Sequence, residues 1–254
     1  GSHGHTRFGA MCLHVALALC RRLRPLPPAA GLAARRWASA VRRSAQWQRE
    51  RRRQLHEVFE LVNERRKDGT LDENCRRLYA DASHEKMQEA WVSEGHDWCL
   101  KQLLHGNIDG ELELLDVGSC SNPLGRDERV SALGVRVTAL DLCPRHSSVW
   151  ECDVLQLRVV PPGARRERRG QRLLALPAES FDVCLLSLVL NHFPLGEQLR
   201  CMQTVHALLI DGGQLCVVEN RAWGGERAIE EAGFRAVMRE RVGKTALCGC
   251  LFEK

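Results

Sequence analysis

The fold is decided by the stretch Leu114-Leu115-Asp116-Val117-Gly118-Ser119-Cys120, an apolar run that ends in an acid and a turn of small residues. Such a run is typical of a buried β-strand that leads into a tight loop. Gly118 would let the backbone of that loop approach a ligand closely, because glycine adopts dihedral angles that are closed to other residues. The stretch therefore predicts a strand whose carboxyl end faces a binding site.

Short β-rich runs alternate with helical runs from residue 111 onwards. The predicted strands cover 112–117, 135–140, 149–154, 181–186 and 215–218, with a terminal hairpin over 236–242 and 246–252. Helices are predicted over 196–209, closed by Asp211-Gly212-Gly213, and over 227–232. Because strands that alternate with helices form parallel sheets, we expect an α/β fold with a doubly wound, Rossmann-like sheet and a final antiparallel strand.

The residues before this sheet favour helices. Leu55, Val58, Phe59 and Val62 recur at helical spacing, and a second helical stretch over 72–104 is predicted to break near 93–95. We expect three parts along the chain. These are a basic tail over 1–49, a helical domain over 50–110 and the α/β domain over 111–254.

Positive charge is concentrated at the start of the chain. Residues 1–49 hold nine arginines and no acid, and subtracting nine from the formal charge of +5 leaves −4 for 50–254. A weakly acidic remainder argues against nucleic-acid binding through overall charge, though a local basic patch can still serve. The tail fits either a mitochondrial transit peptide or a disordered segment. We expect a cytoplasmic protein, with nucleolar and mitochondrial locations as alternatives.

One segment inside the α/β region is also rich in arginine. Residues 158–180 contain Pro161-Pro162-Gly163, followed by five arginines over 165–172, and their composition predicts a loop. The segment fits a patch for phosphate or for an acidic partner, and it equally fits a solvated insertion.

The cysteine pattern indicates no metal. The twelve cysteines include no C-x-x-C pair, which zinc sites use to bring ligands together. We interpret most of them as small buried hydrophobic residues in a reducing compartment. No apolar run reaches the roughly 18 residues that span a bilayer, so no membrane span is expected.

Acidic and small residues follow the predicted strands in order. The candidate binding residues are Asp116, Gly118, Asp141, Asp153, Val154 and Ser187. In an open α/β sheet, ligands bind at the carboxyl ends of the strands, where the strand order reverses. Asp141 suits a pair of ribose hydroxyls, because a carboxylate accepts two hydrogen bonds. Asp153 suits an adenine amino group, with Val154 against the ring. Each acid alone also fits a turn residue that accepts from backbone amides.

This ordered set resembles the class I S-adenosylmethionine-dependent methyltransferase superfamily over about 111–254. The motifs that carry the resemblance are Asp116-Val117-Gly118, Asp141, Asp153, Phe181-Asp182-Val183 and Leu209-Ile210-Asp211-Gly212-Gly213. The loop departs from the glycines that are common in that superfamily at Cys120 and Asn122. The resemblance implies S-adenosylmethionine as the cofactor, bound by the candidate residues.

A narrower resemblance is carried by residues 94–99, 114–123, 152–155 and 186–191. They are similar to the SAMTOR family of S-adenosylmethionine sensors that restrain the mTOR growth-signalling complex. The same family includes fungal nucleolar methyltransferases that modify an adenine of large-subunit ribosomal RNA. The resemblance implies a sensor that binds a protein partner of a nutrient-signalling complex. The alternatives are an active methyltransferase with RNA as its partner, and a methyltransferase of small molecules or proteins.

Methyl transfer asks the protein mainly for position and electrostatics, because the cofactor carries the reactivity. Asn191 and His192 follow the fourth predicted strand and are the candidate catalytic residues. His192 fits a general base, since an imidazole titrates near neutrality. It also fits a residue that only caps the turn between strand and helix.

Overall fold

The structure, a computed structural model, describes residues 46, 50–51, 53–105 and 111–254. The chain divides into two compact units, Gly1–Gln54 and Leu55–Lys254. The few described residues of the first unit are helical. The predictions for the tail over 1–49 lie outside the described residues, apart from residue 46.

The second unit begins with three helices. They are α1 over 55–67, α2 over Glu73–Met87 and α3 over Ala90–His105. Asp72 caps α2 by accepting a hydrogen bond from the amide of Cys75 at 2.8 Å. The predicted break at 93–95 is wrong, because the helices separate at residues 88–89. Gly95 lies inside α3, where an added Cβ would stand 3.2 Å from the Val218 side chain, so this glycine allows the helix to pack closely on the sheet.

The strands of the described residues form one ten-stranded sheet. They are β1 Leu112–Val117, β2 Val135–Asp141, β3 Val149–Glu151, β4 Arg158–Val160, β5 Glu167–Arg169, β6 Arg172–Pro177, β7 Phe181–Ser187, β8 Leu209–Asn220, β9 Arg235–Arg241 and β10 Leu247–Glu253. Their order is β4-β6-β3-β2-β1-β7-β8-β10-β9, and β5 pairs with β6. The strand order reverses between β1 and β7, which places a crevice at their carboxyl ends. Since β10 is antiparallel to β8, the predicted Rossmann-like fold with an antiparallel final strand is confirmed.

The remaining helices follow β1 along the chain. They are α4 Glu128–Ala132, α5 Leu195–Leu208, α6 Glu226–Glu231 and a 3-10 turn over Leu190–His192. The prediction that Asp211-Gly212-Gly213 closes a helix is wrong, because these residues lie inside β8. Gly212 has a positive φ of 75°, and the pairing of β7 with β8 shifts register at this level. The prediction of a loop over 158–180 is also wrong, since that segment contains β4, β5 and β6.

The two faces of the sheet carry separate hydrophobic clusters. Leu114 and Leu115 are both fully buried on β1, and they belong to different clusters because successive side chains of a strand point to opposite faces. The Leu114 side packs with Trp98 of α3, and the Leu115 side packs with Met202 of α5. All ten described cysteines are buried and free, which confirms their interpretation as small core residues.

Candidate functional site

A pocket lies at the carboxyl ends of β1, β2, β3 and β7. The space between its lining residues, part of which is open to solvent, is about 890 Å³. The strand ends contribute the sequence-predicted residues Gly118, Asp141, Asp153, Val154 and Ser187. The helices contribute a second set, which consists of Phe59 and Asn63 of α1 and Tyr79, Ser83, Lys86 and Met87 of α2. We call the first set the strand floor and the second set the helical wall.

The loop after β1 forms the tightest part of the floor. Gly118 has a φ of 78°, and its amide donates to the carbonyl of Leu140 at 2.8 Å. A Cβ at this position would stand 2.4 Å from Cγ2 of Val189, so a side chain is excluded. Cys120 and Asn122 adopt positive φ values of 51° and 56°. The loop therefore keeps a glycine-like backbone at the two positions where the sequence departs from glycine. Positive φ values of this kind are strained for residues that carry a side chain.

Hydrogen bonds of the Asn122 side chain hold this strained loop. Its Oδ1 accepts from the amide of Gly125 at 2.8 Å, and its Nδ2 donates to Oγ of Ser148 at 3.0 Å. Asparagine tolerates the left-handed region better than most residues, because its short amide bonds locally. The departure at Asn122 is thus compatible with a close approach of the loop to a ligand.

Asp141 joins the floor at the end of β2. Its Oδ2 accepts from the amide of Cys120 at 2.9 Å, and its Oδ1 accepts from the amide of Cys143 at 2.8 Å. Burial raises the pKa of the carboxyl, and these two backbone hydrogen bonds act in the opposite direction. A carboxylate has about four acceptor positions, so each oxygen keeps capacity for a ligand hydroxyl.

Asp153 lies where β3 has ended, and its side chain is 8% exposed. It accepts from the amide of Leu155 at 3.0 Å and from Nε2 of Gln156 at 3.1 Å. Arg66 of α1 reaches the same carboxylate at 3.6 Å and forms a closer ion pair with Glu197 of α5, at 2.6 Å. A helix that precedes the sheet thereby holds the acid at the third strand end.

Asp116 takes a different place from the other predicted acids. It is buried inside β1, outside the described lining of the pocket, and accepts from Oγ of Ser119 at 2.6 Å. Burial raises its pKa to about 6. This geometry is that of an acid that fixes the conformation of the glycine loop from behind, and its predicted contact with a cofactor stays a prediction.

The candidate catalytic residues sit on the 3-10 turn after β7. His192 lines the pocket, whereas Asn191 is exposed. Burial, followed by the positive charges of Lys86 and His56, lowers the pKa of His192 to about 3. An imidazole with so low a pKa is a weak proton acceptor at neutral pH. The catalytic role of both residues stays a prediction.

A buried carboxylate holds this turn in place. Oε1 of Glu219, on β8, accepts from the amide of Leu190 at 2.7 Å and from the amide of Asn191 at 3.3 Å. Burial raises the pKa of Glu219 to about 7, against the opposing effects of these amides and of Lys86. The other oxygen, Oε2, is buried without a hydrogen-bond partner among the described residues. The turn therefore depends on a carboxyl whose ionisation is costly.

Aromatic contacts fasten the helical wall to this turn. The Phe59 ring lies 4.7 Å from the ring of His192 and 5.3 Å from that of Tyr79, while the Lys86 ammonium lies 5.0 Å from the Phe59 ring. Asn63 Nδ2 donates to the carbonyl of His192 at 2.6 Å. Burial, and then the negative charge of Asp141, raise the pKa of the Tyr79 phenol well above its usual range. Tyr79 and Asp141 thus bring the wall and the floor together.

Sequence reasoning missed the whole helical wall. Periodicity predicts helices for these residues, and it does not show which of them face a pocket. Phe59 fits the regular apolar stripe of its helix, and it also lines the pocket. The sequence carries no specific signal for them, because residues such as Asn63 and Lys86 are ordinary on the solvated face of a helix.

The fold agrees with comparisons to known proteins. Residues 115–217 match the family model described as a methyltransferase domain. The structure superposes with a TM-score of 0.51 on the 1,6-didemethyltoxoflavin-N1-methyltransferase of Burkholderia thailandensis, solved with S-adenosylhomocysteine. That match is 20% identical and covers 70% of this chain and 86% of the other. With the strand order, these findings define a protein of the class I S-adenosylmethionine-dependent methyltransferase fold.

The relatives found by sequence similarity point to a narrower group of proteins than the fold does. The chain is 32% identical over 168 residues to the S-adenosylmethionine sensor upstream of mTORC1 of Xenopus laevis, covering 58% of this chain and 40% of that protein. It is 35% identical over 119 residues to the protein of the same name from Danio rerio, covering 43% of this chain and 29% of that protein. The resemblance to these sensors is thus confirmed, and the chain spans less than half of their length.

Among the described residues, no group of three or more His, Cys, Asp or Glu side chains is placed to hold a metal ion. No helix in the described ranges is long and apolar enough to cross a bilayer.

Proposed function

We propose that this chain binds S-adenosylmethionine in the pocket and acts as a sensor, passing occupancy of the pocket to a protein partner. The observation that carries the proposal is that two helices outside the sheet line the same pocket as the strand ends. A ligand in contact with both sets binds best when the helices are closed on the sheet. Binding then shifts the population toward that arrangement, which is what a sensor requires.

The residues of the pocket fit the parts of this cofactor. Asp141 would hold the ribose hydroxyls, Asp153 the adenine amino group, and Val154 would pack against the adenine ring. Lys86 places an ammonium group in the helical wall, where it would face the anionic carboxylate of the methionine part. Burial lowers the pKa of Lys86, so a bound carboxylate would stabilise its charged form. The cofactor itself would supply a methyl group on a sulfonium.

The alternative is an active methyltransferase, which the methyltransferase-domain match favours. An adenine of ribosomal RNA, a protein or a small molecule would then be the acceptor. In that reaction His192 would be a weak general base, because its pKa is low, and transfer would depend on position and electrostatics. We also propose a cytoplasmic location, which a fluorescent fusion of the full chain would test.

The deciding experiment measures binding and transfer together. The purified full chain is titrated with S-adenosylmethionine by calorimetry, and then incubated with methyl-labelled cofactor and fractionated lysate. Saturable binding without transfer of label, together with a protein whose capture by the chain changes with cofactor, is the expected result. Label in RNA, protein or a small molecule would replace the sensor with the enzyme. Absence of binding would refute both.

A further inference from the structure

The segment Arg158–Arg172 forms a basic surface on an acidic body. It contains six arginines and one acid, Glu167, within residues 50–254 whose net charge is −4. The structure folds it into β4, β5 and β6, and all three residues of β5 are exposed. We call residues 158–172 the arginine segment. Arg158, Arg168, Arg169 and Arg172 lie on these strands, which fixes the places of their backbones. Arg165 and Arg166 lie in the connection between β4 and β5.

The one acid of the segment is already paired. Glu167 of β5 forms an ion pair with Arg158 of β4. Among the described residues, no carboxylate forms an ion pair with Arg165, Arg169 or Arg172, and all three are exposed. Glu151 of β3 stands opposite Arg172 in the sheet register, but its carboxylate forms an ion pair with Arg76 at 2.8 Å. The segment therefore presents arginines that form no ion pair with the described acids.

Two of these arginines face each other across the strands. Arg169 of β5 and Arg172 of β6 are direct partners in the antiparallel register. Opposed like charges destabilise a strand pair. Charged residues do protect the free edge of a sheet from pairing with other chains, but charges of mixed sign would do so without this repulsion. An anion between the two guanidinium groups would convert the repulsion into attraction.

Other arginines of the segment are held in place by aromatic rings. The Arg168 guanidinium lies 5.4 Å from the centre of the Trp150 ring, and that of Arg166 lies 5.9 Å from the Phe181 ring. A guanidinium that stacks on a ring keeps N–H donors at its edge, and its planar fork matches the oxygens of a phosphate. These contacts order the donors before any anion arrives.

The surroundings indicate what kind of anion binds. The described large hydrophobic side chains that are exposed are Leu61, Leu78, Leu195 and Val237, and none belongs to the arginine segment. Protein interfaces draw their affinity from buried apolar or aromatic anchors, which this surface does not offer. Binding driven by many arginines and phosphates, with release of counterions, needs no such anchor.

We propose that the arginine segment binds the phosphate backbone of a nucleic acid, without reading its sequence. This surface is separate from the cofactor pocket, and the proposal does not depend on the function proposed above. The weakly acidic charge of residues 50–254 does not oppose it, because the contact is local.

The test uses the full chain and a fluorescein-labelled 20-nucleotide oligo(U), followed by anisotropy at increasing NaCl concentration. The variant combines Arg165→Gln, Arg169→Gln and Arg172→Gln. The control combines Arg126→Gln, Arg221→Gln and Arg227→Gln, which removes equal charge from exposed sites elsewhere. Both proteins retain residues 1–49, so the arginines of the tail contribute equally to each.

We expect the variant to lower the slope of log affinity against log salt by about 2, since each neutralised phosphate contributes roughly 0.7 for single strands. The control should keep the slope of the unchanged protein. Equal losses in both triple variants would overturn the proposal, because they would reflect overall charge. Both should bind S-adenosylmethionine as the unchanged protein does, so this outcome is independent of the cofactor proposal.

Two further measurements separate other anions and misfolding. If phosphatidylserine vesicles or a poly-glutamate peptide bind more tightly than oligo(U), and the variant abolishes that binding, the nucleic-acid assignment is refuted. The single change Arg169→Glu places opposite charges at the 169–172 pair. We expect it to weaken oligo(U) binding while the melting temperature stays equal or rises. Unchanged binding in a folded Arg169→Glu protein would contradict the proposal.

Discussion

The strand floor and the helical wall of the pocket are built by different physical rules. Each floor residue stands at the end of a strand, and its position follows from the register of a parallel sheet. Each wall residue depends on how a helix packs, through contacts as far apart in sequence as Asn63 and His192. The strand floor can therefore specify which ligand binds, whereas the helical wall can report that the ligand has bound. The following predictions test this division, beginning with the largest effect.

Gly118→Ala should break the floor. The added Cβ meets the Val189 side chain at 2.4 Å and is held at a φ of 78°. Overpacking of a close contact costs about 1–3 kcal/mol, so we expect cofactor affinity to fall by up to roughly a hundredfold in calorimetry. Gly163→Ala is the matched control, since Gly163 has a φ of 76° with open space around it. Equal losses of affinity in the two variants would show that the glycine loop does not contact the ligand.

Asp141→Asn should weaken binding next. The substitution removes a charge that accepts from two backbone amides, and it would remove an acceptor for the ribose. We expect a loss of about 1.5–3 kcal/mol in cofactor binding free energy, or roughly ten- to a hundredfold in affinity. Asp182→Asn is the control, because Asp182 accepts from the amide of Glu113 at 2.8 Å near the start of β7. An unchanged affinity for Asp141→Asn would remove this residue from the site.

The same division explains what the sequence predicts well. An apolar strand followed by Asp141 or Asp153 is a local pattern, and a parallel sheet brings such strand ends to one edge whatever the loops do. The strand β1 and the sheet class were therefore predictable. The loop after β1 was predictable at Gly118, and its positive φ values at Cys120 and Asn122 were not. Cysteine normally avoids this region, and asparagine tolerates it without requiring it.

The wrong predictions concern segments whose structure depends on contacts distant in sequence. The strands over 158–177 carry arginine, proline and glycine, and their composition indicates a loop. They become strands because β6 finds partners in β3, β4 and β5. Asp211-Gly212-Gly213 has the composition of a helix end. Leu209 and Gln214, on either side of it, pair with β7, so these three residues lie within β8 as an irregularity of the register. The helical wall was missed for the same reason, since helical periodicity shows which face is apolar and does not show what that face covers.

Glu219 lies where the floor and the wall meet, and its ionisation gives a pH test of that junction. Its folded-state pKa of about 7 is above its ordinary value of 4.5, so its contribution to stability is full below about pH 4.5 and is lost as pH rises through 7. Glu219→Gln cannot ionise. Between pH 5 and 8, we expect the free energy of unfolding of the variant to rise relative to the unchanged protein by on the order of 2 kcal/mol.

Urea unfolding at several pH values measures this difference. The two proteins are compared at each pH because both contain His192. The lowered pKa of His192 makes the free energy of unfolding rise with pH below neutrality, opposite to the effect of Glu219, and the difference between the proteins removes this contribution. A constant difference across this range would mean that Glu219 does not change its charge there. The 3-10 turn would then be held equally firmly at every pH, and the junction would have no pH dependence of its own.

Phe59→Leu should have the smallest effect, and it separates a sensor from a rigid cover. The change keeps an apolar side chain and removes the ring contacts to Tyr79, His192 and Lys86. Aromatic pairs contribute about 0.5–1.5 kcal/mol beyond burial, so we expect a few-fold loss of cofactor affinity. Phe234→Leu removes a comparable ring contact, to His206 of α5 at 5.0 Å, outside the pocket lining, and should leave affinity unchanged. If both variants lose stability and neither loses affinity, the helical wall is not coupled to the ligand. The strand floor would then bind the cofactor alone, and the protein would have no means of reporting occupancy through these helices.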